Sequence, residues 1–256
     1  QPRTASPWSG QVTKTLVVVP TYNEASSLPT LVQHLFDQDI QNLELLVVDD
    51  NSPDGTAVIA ESLGSTHPHR IHILRRPNKE GIGPAYVAGF REALRLGASI
   101  IIQMDADLSH PPEYIPAILE QLEAHDVVVG SRYAPGGGSD VRWGLKRRLL
   151  SQGGNLYTRF LSGVRVKDPR SGFKGYRREV LQNIRLEGLR SKGFVFQTEV
   201  LFRCQQMGYS MVEVPIIFYD RNAGRSKMSL GIIVEALWRL PQIHWSTRGA
   251  KKSVRT

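Results

Sequence analysis

The segment Ser99-Ile-Ile-Ile-Gln-Met-Asp-Ala-Asp107 decides the fold of this chain. Its apolar part is short and β-branched, which predicts a buried strand over residues 99–104. The carboxylates of Asp105 and Asp107 share one face of an extended chain, and two such charges repel unless a cation neutralises them. A solvated turn capped by Ser109 is the alternative. The preceding strand favours a site for Mg²⁺ or Mn²⁺, which bind carboxylates together with substrate phosphates.

Outward from this segment, buried strands alternate with helices. The pattern predicts strands over 15–19, 43–48, 71–74 and 126–129, and helices over 28–36, 84–96 and 111–122. It predicts further helices over 145–161 and 194–207, strands over 172–176 and 211–218, and an amphipathic helix over 229–240. Because parallel strands need crossover connections, the alternation predicts a single α/β domain with a mostly parallel sheet flanked by helices.

Composition limits the classes of function. The single cysteine, Cys204, excludes an internal disulfide and a cysteine-rich metal site. No apolar run approaches the roughly 20 residues that span a bilayer, and residues 1–11 lack the apolar core of a signal peptide. The formal net charge of +8 fits three partners: nucleic acid, an anionic membrane surface or an anionic substrate.

Polar residues follow three of the predicted strands, where ligands bind in open α/β sheets. These segments are 20–24, 49–50 and 105–107. Asp50 suits a hydrogen bond to a ribose or base, and equally a turn or helix cap. The first strand is followed by Pro-Thr-Tyr-Asn-Glu, which argues against a Gly-x-Gly-x-x-Gly dinucleotide site.

Two basic segments are candidates for phosphate binding. Arg132 closes the strand at 126–129, where it either faces a diphosphate or lies on the surface. The segment 221–227 carries three cations and a glycine, which fits a loop that closes over phosphates or a solvated charged loop.

The motifs together resemble the polyprenol (dolichol) phosphate mannose synthases of glycosyltransferase family 2. The resemblance rests on Val-Pro-Thr-Tyr-Asn-Glu at 19–24, Val-Val-Asp-Asp-Asn-Ser-Pro-Asp-Gly-Thr at 47–56, Met-Asp-Ala-Asp-Leu-Ser-His-Pro-Pro-Glu at 104–113, Gly-Ser-Arg-Tyr at 130–133 and Ser-Lys-Met at 226–228. It extends from about residue 16 to about residue 240 and implies a GT-A fold.

The resemblance also implies residue roles. The nucleoside of the donor is expected at Pro20, Tyr22, Glu24, Val48 and Asp50. Asp105, Ala106 and Asp107 correspond to the metal and diphosphate segment, with Asp105 and Asp107 as metal ligands. Phosphates of the donor are expected at Arg132, Arg221 and Lys227, and the acceptor phosphate at Arg148, Ser151 and Arg221. The group expected to act in catalysis is Asp105, Asp107, Arg132 and Lys227.

The implied activity is transfer of mannose from GDP-mannose to a polyprenyl phosphate with inversion. A polyprenyl-phosphate glucosyltransferase that uses UDP-glucose is the enzyme alternative. A basic nucleic-acid-binding module is the remote one, because base-stacking aromatic residues are not interleaved with the basic loop. We therefore expect no nucleic acid as a partner.

The resemblance further implies a place at the membrane. We expect a peripheral protein on the cytosolic face of a plasma or endoplasmic reticulum membrane, docked by a surface helix or by a membrane-embedded partner subunit. The expected segments are a flexible N-terminus at 1–13, a catalytic domain at 14–228, an amphipathic helix at 229–245 and a basic tail at 246–256. The helix at 229–245 either lies in the membrane interface or packs on the sheet.

Overall fold

The computed structural model describes residues 13–140 and 145–219. Arg221, Lys227, the predicted helix at 229–245 and the predicted tail lie outside these residues. Nine strands are found in the described part: β1 Thr15–Thr21, β2 Leu43–Asp49, β3 Ile71–Arg75, β4 Ile100–Gln103, β5 Val127–Ser131, β6 Gly138–Ser139, β7 Lys174–Arg177, β8 Met211–Pro215 and β9 Ile217–Phe218. Its α-helices are α1 Leu28–Phe36, α2 Thr56–Thr66, α3 Ile82–Arg95, α4 Ile115–Leu122, α5 Leu145–Ser162, α6 Arg178–Asn183 and α7 Val195–Gln206.

Seven strands form one sheet in the order β3-β2-β1-β4-β7-β5-β8. Every pair among them is parallel except the two that involve β7, which runs antiparallel between β4 and β5. The prediction of a mostly parallel sheet is confirmed. Since β7 runs backwards, the chain that enters it arrives at the same edge as the carboxyl ends of the other strands. Strands β6 and β9 form a separate parallel pair.

Helices cover both faces of the sheet, which explains why a strand such as β1 is a run of apolar residues rather than an alternating pattern. Along β1, Leu16 and Val18 belong to one core cluster, and Val17 and Val19 belong to the other. The first cluster also contains residues of α3 and α7, and the second contains residues of α1 and α4. All four β1 side chains are fully buried.

One glycine sets how closely α3 packs on the sheet. A Cβ at Gly89 would lie 2.4 Å from Cγ1 of Val18 and 2.9 Å from Cγ2 of Val48. Only a residue without a side chain allows this approach. The contact fixes α3 over β1 and β2, and it thereby fixes Tyr86, one turn earlier in the helix.

The structure contains three elements that were not predicted, α2, α6 and β6, and two predicted strands differ from the observed ones. Helix α2 was not predicted, because it buries only the small side chains of Thr56, Ala57 and Ala60 and so lacks a stripe of large apolar residues. The predicted strand at 211–218 is two strands, β8 and β9, which belong to different sheets. The predicted strand at 172–176 begins two residues later, at Lys174, because Ser171 to Phe173 form the loop before it.

Helix α5 is the longest helix of the described chain, and its apolar side is exposed. The exposed residues are Leu149, Leu150, Leu156, Tyr157 and Phe160. At about 100° per residue these positions lie within roughly 120° of arc. The opposite side buries Asn155, Thr158 and Ser162. None of the helices in residues 13–140 and 145–219 is long and apolar enough to cross a bilayer.

Candidate active site

The predicted acidic segments meet at the carboxyl edge of the sheet. Asp105 and Asp107 follow β4, and Asp50 follows β2, which lies two strands away across β1. Arg132 follows β5, on the other side of β7. The strand order therefore places a group of carboxylates and a guanidinium along one edge, as the sequence predicted.

Asp105 is held by three elements. The phenol of Tyr86, on α3, donates a hydrogen bond of 2.8 Å to Oδ1 of Asp105. Burial and the charge of Asp105 raise the pKa of Tyr86 well above its usual value, so Tyr86 stays a donor. On the other side, a Cβ at Gly172 would lie 2.9 Å from Oδ2 of Asp105 and 2.9 Å from Cε1 of His110. A side chain at Gly172 would displace the carboxylate.

His110 supports the loop between the two aspartates as a neutral imidazole. Its Nδ1 accepts the backbone N–H of Asp105 at 3.3 Å and lies 3.7 Å from Oδ2 of the same residue. Burial lowers the pKa of His110 although the charges of Asp105 and Asp107 oppose this. We therefore assign the Nε2–H tautomer, because Nδ1 is used as an acceptor. His110 packs between the rings of Phe173 and Phe218, with centroid distances of 5.4 Å to each.

Asp107 is fixed by its own turn. Its Oδ1 accepts the backbone N–H of Ser109 at 3.1 Å and the hydroxyl of Ser109 at 2.5 Å. Leu108 between them has a positive φ of 62°. Ser109 thus orients Asp107, which agrees with the predicted turn and does not conflict with a cation at the carboxylate.

Arg132 forms a bidentate ion pair with Asp168. Nε of Arg132 lies 2.7 Å from Oδ2 of Asp168, and Nη2 lies 2.8 Å from Oδ1. The backbone N–H of Arg132 donates a third hydrogen bond, of 3.1 Å, to Oδ2. Burial raises the pKa of Asp168, but the charge and hydrogen bonds of Arg132 outweigh burial, and the net pKa is lowered. This pairing presents the guanidinium in a fixed orientation between the site and the ring of Phe218, 5.3 Å away.

The two aspartates after β2 have different roles. Asp49 accepts hydrogen bonds from the hydroxyls of Thr21 and Ser52, at 3.1 and 2.6 Å, and so caps a turn. Asp50 forms an ion pair of 2.5 Å with Nη1 of Arg76. Burial raises the pKa of Asp50, and the charge of Arg76 opposes this only in part. The structure thus assigns the turn role to Asp49 and pairs Asp50 with Arg76, and the contact of Asp50 with a nucleoside stays a prediction.

The loops after β1 and β2 are tied together at the predicted nucleoside site. The backbone N–H of Glu24 donates to Oγ1 of Thr56 at 3.0 Å, and that of Ala25 donates to Oδ2 of Asp54 at 3.0 Å. Tyr22 is partly exposed, with Nζ of Lys79 3.7 Å from its ring centroid. Of the other predicted nucleoside residues, Pro20 and Glu24 are partly exposed and Val48 is fully buried.

A buried cluster of polar side chains, formed by Lys174, Gln197, Gln103 and Tyr176, lies next to the site. Nζ of Lys174 donates to the carbonyl of Ser171 and, at 2.6 Å, to Oε1 of Gln197. Nε2 of Gln103 donates a hydrogen bond to the same oxygen of Gln197. Oε1 of Gln103 accepts a hydrogen bond of 3.0 Å from the phenol of Tyr176. Burial lowers the pKa of Lys174 to about 7, although Asp168 and Asp105 oppose this. The cluster fixes the turn that carries Gly172.

Among the residues whose side chains the structure describes, Ser151 links helix α5 to the site by a hydrogen bond. The hydroxyls of Tyr133 and Ser151 lie 2.8 Å apart, so Ser151 is beside the residue that follows Arg132. Arg148 lies in α5, one turn before Ser151. The structure therefore places Ser151 in contact with Tyr133, the neighbour of Arg132 in sequence, and its role at the acceptor phosphate stays a prediction.

Comparison with known proteins identifies the family. The family model for glycosyl transferase family 2 matches residues 16–185, about two thirds of the chain. The chain belongs to glycosyltransferase family 2. The matched range contains Asp50, Asp105, Asp107 and Arg132, so the carboxyl edge described above lies within the glycosyltransferase domain.

Two curated relatives cover most of the glycosyltransferase chain. The polyprenol monophosphomannose synthase of Mycolicibacterium smegmatis is 45% identical over 238 residues, which cover 92% of this chain and 88% of the relative. The undecaprenyl-phosphate mannosyltransferase of Micrococcus luteus is 43% identical over 224 residues, which cover 88% and 91%.

Solved structures establish the fold as GT-A-like. Glucosyl-3-phosphoglycerate synthase from Mycobacterium tuberculosis, in complex with Mn²⁺, UDP-glucose and phosphoglyceric acid, aligns with a TM-score of 0.64 at 19% identity, over 94% of this chain and 81% of that one. Mannosyl-3-phosphoglycerate synthase from Rubrobacter xylanophilus aligns with a TM-score of 0.64 at 19% identity, over 93% and 75%. The predicted GT-A fold is confirmed.

Five residues of this glycosyltransferase site were not predicted from the sequence. They are Tyr86, His110, Asp168, Gly172 and Lys174. Each of them either contacts a residue that is distant in sequence or does not belong to a recognisable sequence motif. His110 alone had a signal, since it lies in the same quoted motif as Asp105.

Proposed function

We propose that this glycosyltransferase transfers mannose from GDP-mannose to the phosphate of a polyprenyl phosphate. The products are a β-linked polyprenyl phosphate mannose and GDP. The main support for the proposal is that Asp105, Asp107 and Arg132 lie along the same edge of the sheet, on either side of β7. The chain that holds them is 45% identical to a polyprenol monophosphomannose synthase. Carboxylates for a cation and a guanidinium for phosphate are what a diphosphate leaving group requires.

A divalent cation, Mg²⁺ or Mn²⁺, fits the residues at this edge. Among the described residues no group of three or more His, Cys, Asp or Glu side chains is arranged to hold a metal by itself. Two carboxylates held by Tyr86 and Ser109 instead suit an ion that completes its shell with water and substrate phosphates. When bound, the cation stabilises the negative charge that develops on the departing diphosphate.

The chain's own residues then position the reacting groups. Arg132, held by Asp168, directs a guanidinium at the phosphates, and Tyr86 and neutral His110 keep Asp105 in place. A phosphate monoester has a second pKa near 6, so the acceptor is already a nucleophile at neutral pH. No strong general base is needed for the direct displacement that inverts the anomeric carbon. Arg221 and Lys227 are proposed to close over the donor.

The cation site is tested by removing one carboxylate. Asp107→Ala should lower kcat/KM by at least about a hundredfold with saturating Mg²⁺ or Mn²⁺, in the range found for single electrostatic groups in active sites. Asp37→Ala, which removes an exposed carboxylate at the end of α1, is the matched control and should keep full activity. Full activity of Asp107→Ala would show that the assignment is wrong.

The donor is tested by side-by-side turnover with GDP-mannose and UDP-glucose on one polyprenyl phosphate. We expect a clear preference for GDP-mannose, with GDP as the released nucleotide. A preference for UDP-glucose would replace mannose by glucose in the proposal and leave the acceptor unchanged. Transfer with neither donor, together with tight and salt-sensitive RNA binding, would instead support the remote alternative.

We also propose that α5 docks on an anionic bilayer, which holds the acceptor. Its exposed apolar residues include Leu150, 71% exposed, and Phe160, 84% exposed. Three consecutive cations, Lys146, Arg147 and Arg148, begin the same helix, and the chain carries a net charge of +8. Apolar side chains flanked by basic residues are typical of helices that lie in the interface of an anionic leaflet. The protein would then be peripheral and face the cytosol.

Flotation with vesicles tests this surface. With phosphatidylcholine vesicles that contain phosphatidylglycerol, the full chain should float, and Leu150→Glu/Phe160→Glu should remain in solution. Val58→Glu on α2 is the control, because Val58 is an apolar residue 63% exposed on a different helix. Flotation of the double variant equal to that of the control would contradict docking through α5. Loss of flotation only on deletion of residues 229–256 would move the contact to the predicted C-terminal helix, and flotation only with added membrane extract would favour a partner subunit.

A further inference from the structure

Arg170 lies on a loop whose backbone is fixed. The carboxylate of Glu213 accepts the N–H groups of Lys167 and Asp168, each at 2.9 Å. Oγ1 of Thr198 donates to the carbonyl of Pro169 at 3.3 Å. These contacts pin the three residues that directly precede Arg170 in the segment from α5 to β7. The position of the arginine is therefore set by the fold rather than by a charged partner of its own.

Among the described residues near Arg132, the guanidinium of Arg170 has no carboxylate of its own. Asp168 is engaged by Arg132 through three hydrogen bonds. Within residues 13–140 and 145–219, Arg170 forms no hydrogen bond or ion pair of its own. Burial lowers the pKa of Arg170, and the charge of Arg132 lowers it further, while Tyr133 and Asp168 oppose this. Two guanidiniums thus share one carboxylate, which leaves one positive charge for an anionic ligand.

Helix α5 leaves room for this guanidinium at one glycine. A Cβ at Gly154 would lie 2.7 Å from Nη1 of Arg170, whereas a Cβ at the neighbouring Gly153 would meet nothing within 4 Å. The guanidinium therefore rests directly against the α5 backbone. Gly154 lies one turn after Ser151, whose hydroxyl contacts Tyr133 at 2.8 Å.

The neighbours of Arg170 indicate which side of Arg132 it occupies. The charges of Arg132 and Asp168 act on Arg170, and the charge of Asp105 acts on Arg132. Because its Nη1 lies against the α5 backbone at Gly154, Arg170 is on the α5 side of this ion pair. The outer face of α5 is the apolar surface proposed to meet the bilayer.

We propose that Arg170, together with Arg132, binds the phosphate of the polyprenyl phosphate acceptor. A phosphate monoester carries close to two negative charges at neutral pH, and a planar guanidinium binds two of its oxygens at once. Bound there, the phosphate lies between Arg132, which faces the donor, and α5, which faces the lipid. The assignment deepens the proposed function and rests on it for the identity of the acceptor.

Two pairs of variants test the assignment in the full chain. Arg170→Gln should raise the acceptor KM roughly ten- to hundredfold, as expected for loss of charge-assisted hydrogen bonds, with the KM for GDP-mannose unchanged. Arg170→Lys should recover part of the loss, because it restores the charge without the planar fork. Gly154→Ala pushes the guanidinium aside and should also raise the acceptor KM, while Gly153→Ala on the same helix should not.

A binding measurement separates this inference from the proposed function. Calorimetry with geranyl phosphate needs no sugar transfer, and geranyl alcohol serves as the comparison. We expect Arg170→Gln to weaken geranyl phosphate binding by the same factor as its acceptor KM. If the unaltered chain transfers no mannose but Arg170→Gln still weakens phosphate binding, the proposed function fails and the anion site stands. An unchanged acceptor KM and unchanged binding, or a rise in the donor KM instead, would overturn the inference.

Discussion

Asp168→Asn should cost about 3–5 kcal/mol of the free energy of unfolding, the usual loss when one partner of a buried ion pair is removed. Asp168 is fully buried, and its two oxygens accept three hydrogen bonds from Arg132. An asparagine keeps the shape of the side chain but turns a donor toward the guanidinium and leaves that charge without its counter-ion. For a domain of this size the loss corresponds to a fall in melting temperature of roughly 6–20 °C.

The pH dependence gives the prediction a second test. Arg132 holds the pKa of Asp168 below its ordinary value of 3.8. A carboxyl group with a lowered folded-state pKa contributes its stability fully above the unfolded pKa and loses it as pH falls through the folded pKa. The difference in stability between the native chain and Asp168→Asn should therefore begin to shrink below about pH 4, where the unfolded carboxyl takes up a proton, and continue to shrink until the native carboxylate is protonated at lower pH.

Urea unfolding followed by circular dichroism at pH 7 and at lower pH measures both effects. Glu187→Gln is the control, because it makes the same carboxylate-to-amide change in the exposed ion pair with Arg91, where the two groups lie 3.1 Å apart. Exposed pairs contribute little, so its midpoint should stay close to that of the native chain. The reasoning is refuted if the two variants unfold at the same urea concentration, or if the loss in Asp168→Asn is independent of pH.

Three further perturbations address other parts of the structure. Burial lowers the pKa of Lys174 to about 7, so between roughly pH 7.5 and 9.5 the unfolded chain binds one more proton. As the pH rises through this range, the free energy of unfolding should therefore increase by about 1.4 kcal/mol per pH unit relative to that of Lys174→Met. Free energies of unfolding that change with pH in the same way for both chains would contradict this. Tyr86→Phe removes the hydrogen bond to Asp105 and should lower kcat roughly tenfold while raising the metal concentration needed for half-maximal rate; a metal titration that matches the native one would argue against this role. Gly89→Ala should destabilise the chain by about 1–3 kcal/mol, whereas Gly64→Ala, whose new Cβ has its nearest neighbours at 3.8 Å, should not.

The sequence predicts the parallel half of the sheet well because its signals are local. Strands β1, β2 and β4 are mostly apolar, and a polar turn segment follows each of them. Once the helices between them indicate parallel strands, the rule that ligands bind at the carboxyl edge brings the acidic segments together. The prediction of Asp105 and Asp107 at one edge required nothing beyond these two steps.

The antiparallel strand could not be predicted in the same way. Strand β7 contains the buried cations Lys174 and Arg177, so its sequence lacks the apolar character of a central strand. Lys174 is accommodated by Gln197, which is on α7, and by the carbonyl of Ser171. Both the insertion of β7 between β4 and β5 and the arrival of Asp168 beside Arg132 depend on pairings distant in sequence. A local pattern carries no information about such partners.

Helix α5 shows how a correct secondary-structure prediction leaves the orientation open. The usual rule turns an apolar stripe toward the core, yet here Asn155, Thr158 and Ser162 are buried and the stripe is exposed. The buried face is held by polar contacts, such as the hydrogen bond of 2.6 Å from Nδ2 of Asn155 to the carbonyl of Lys167. The polar contacts of the buried face therefore fix the helix with its apolar residues toward the solvent.

The exposed apolar residues of α5 would be stabilised by a lipid environment. Full burial of one large apolar side chain is worth about 1.5–3 kcal/mol, so partial burial of five is worth on the order of 5 kcal/mol. That amount is comparable to the whole stability of a marginal domain. Insertion of this face into a bilayer would provide that free energy of burial. The same helix would then lie between the lipid and the phosphate site. Its outer face meets the lipid chains while Gly154, on its inner side, admits Arg170 to the phosphate that those chains carry. If docking and acceptor binding are coupled in this way, Leu150→Glu/Phe160→Glu should raise the KM for vesicle-bound acceptor and leave that for soluble geranyl phosphate unchanged. An equal rise for both acceptors would show that the variant had distorted the helix itself.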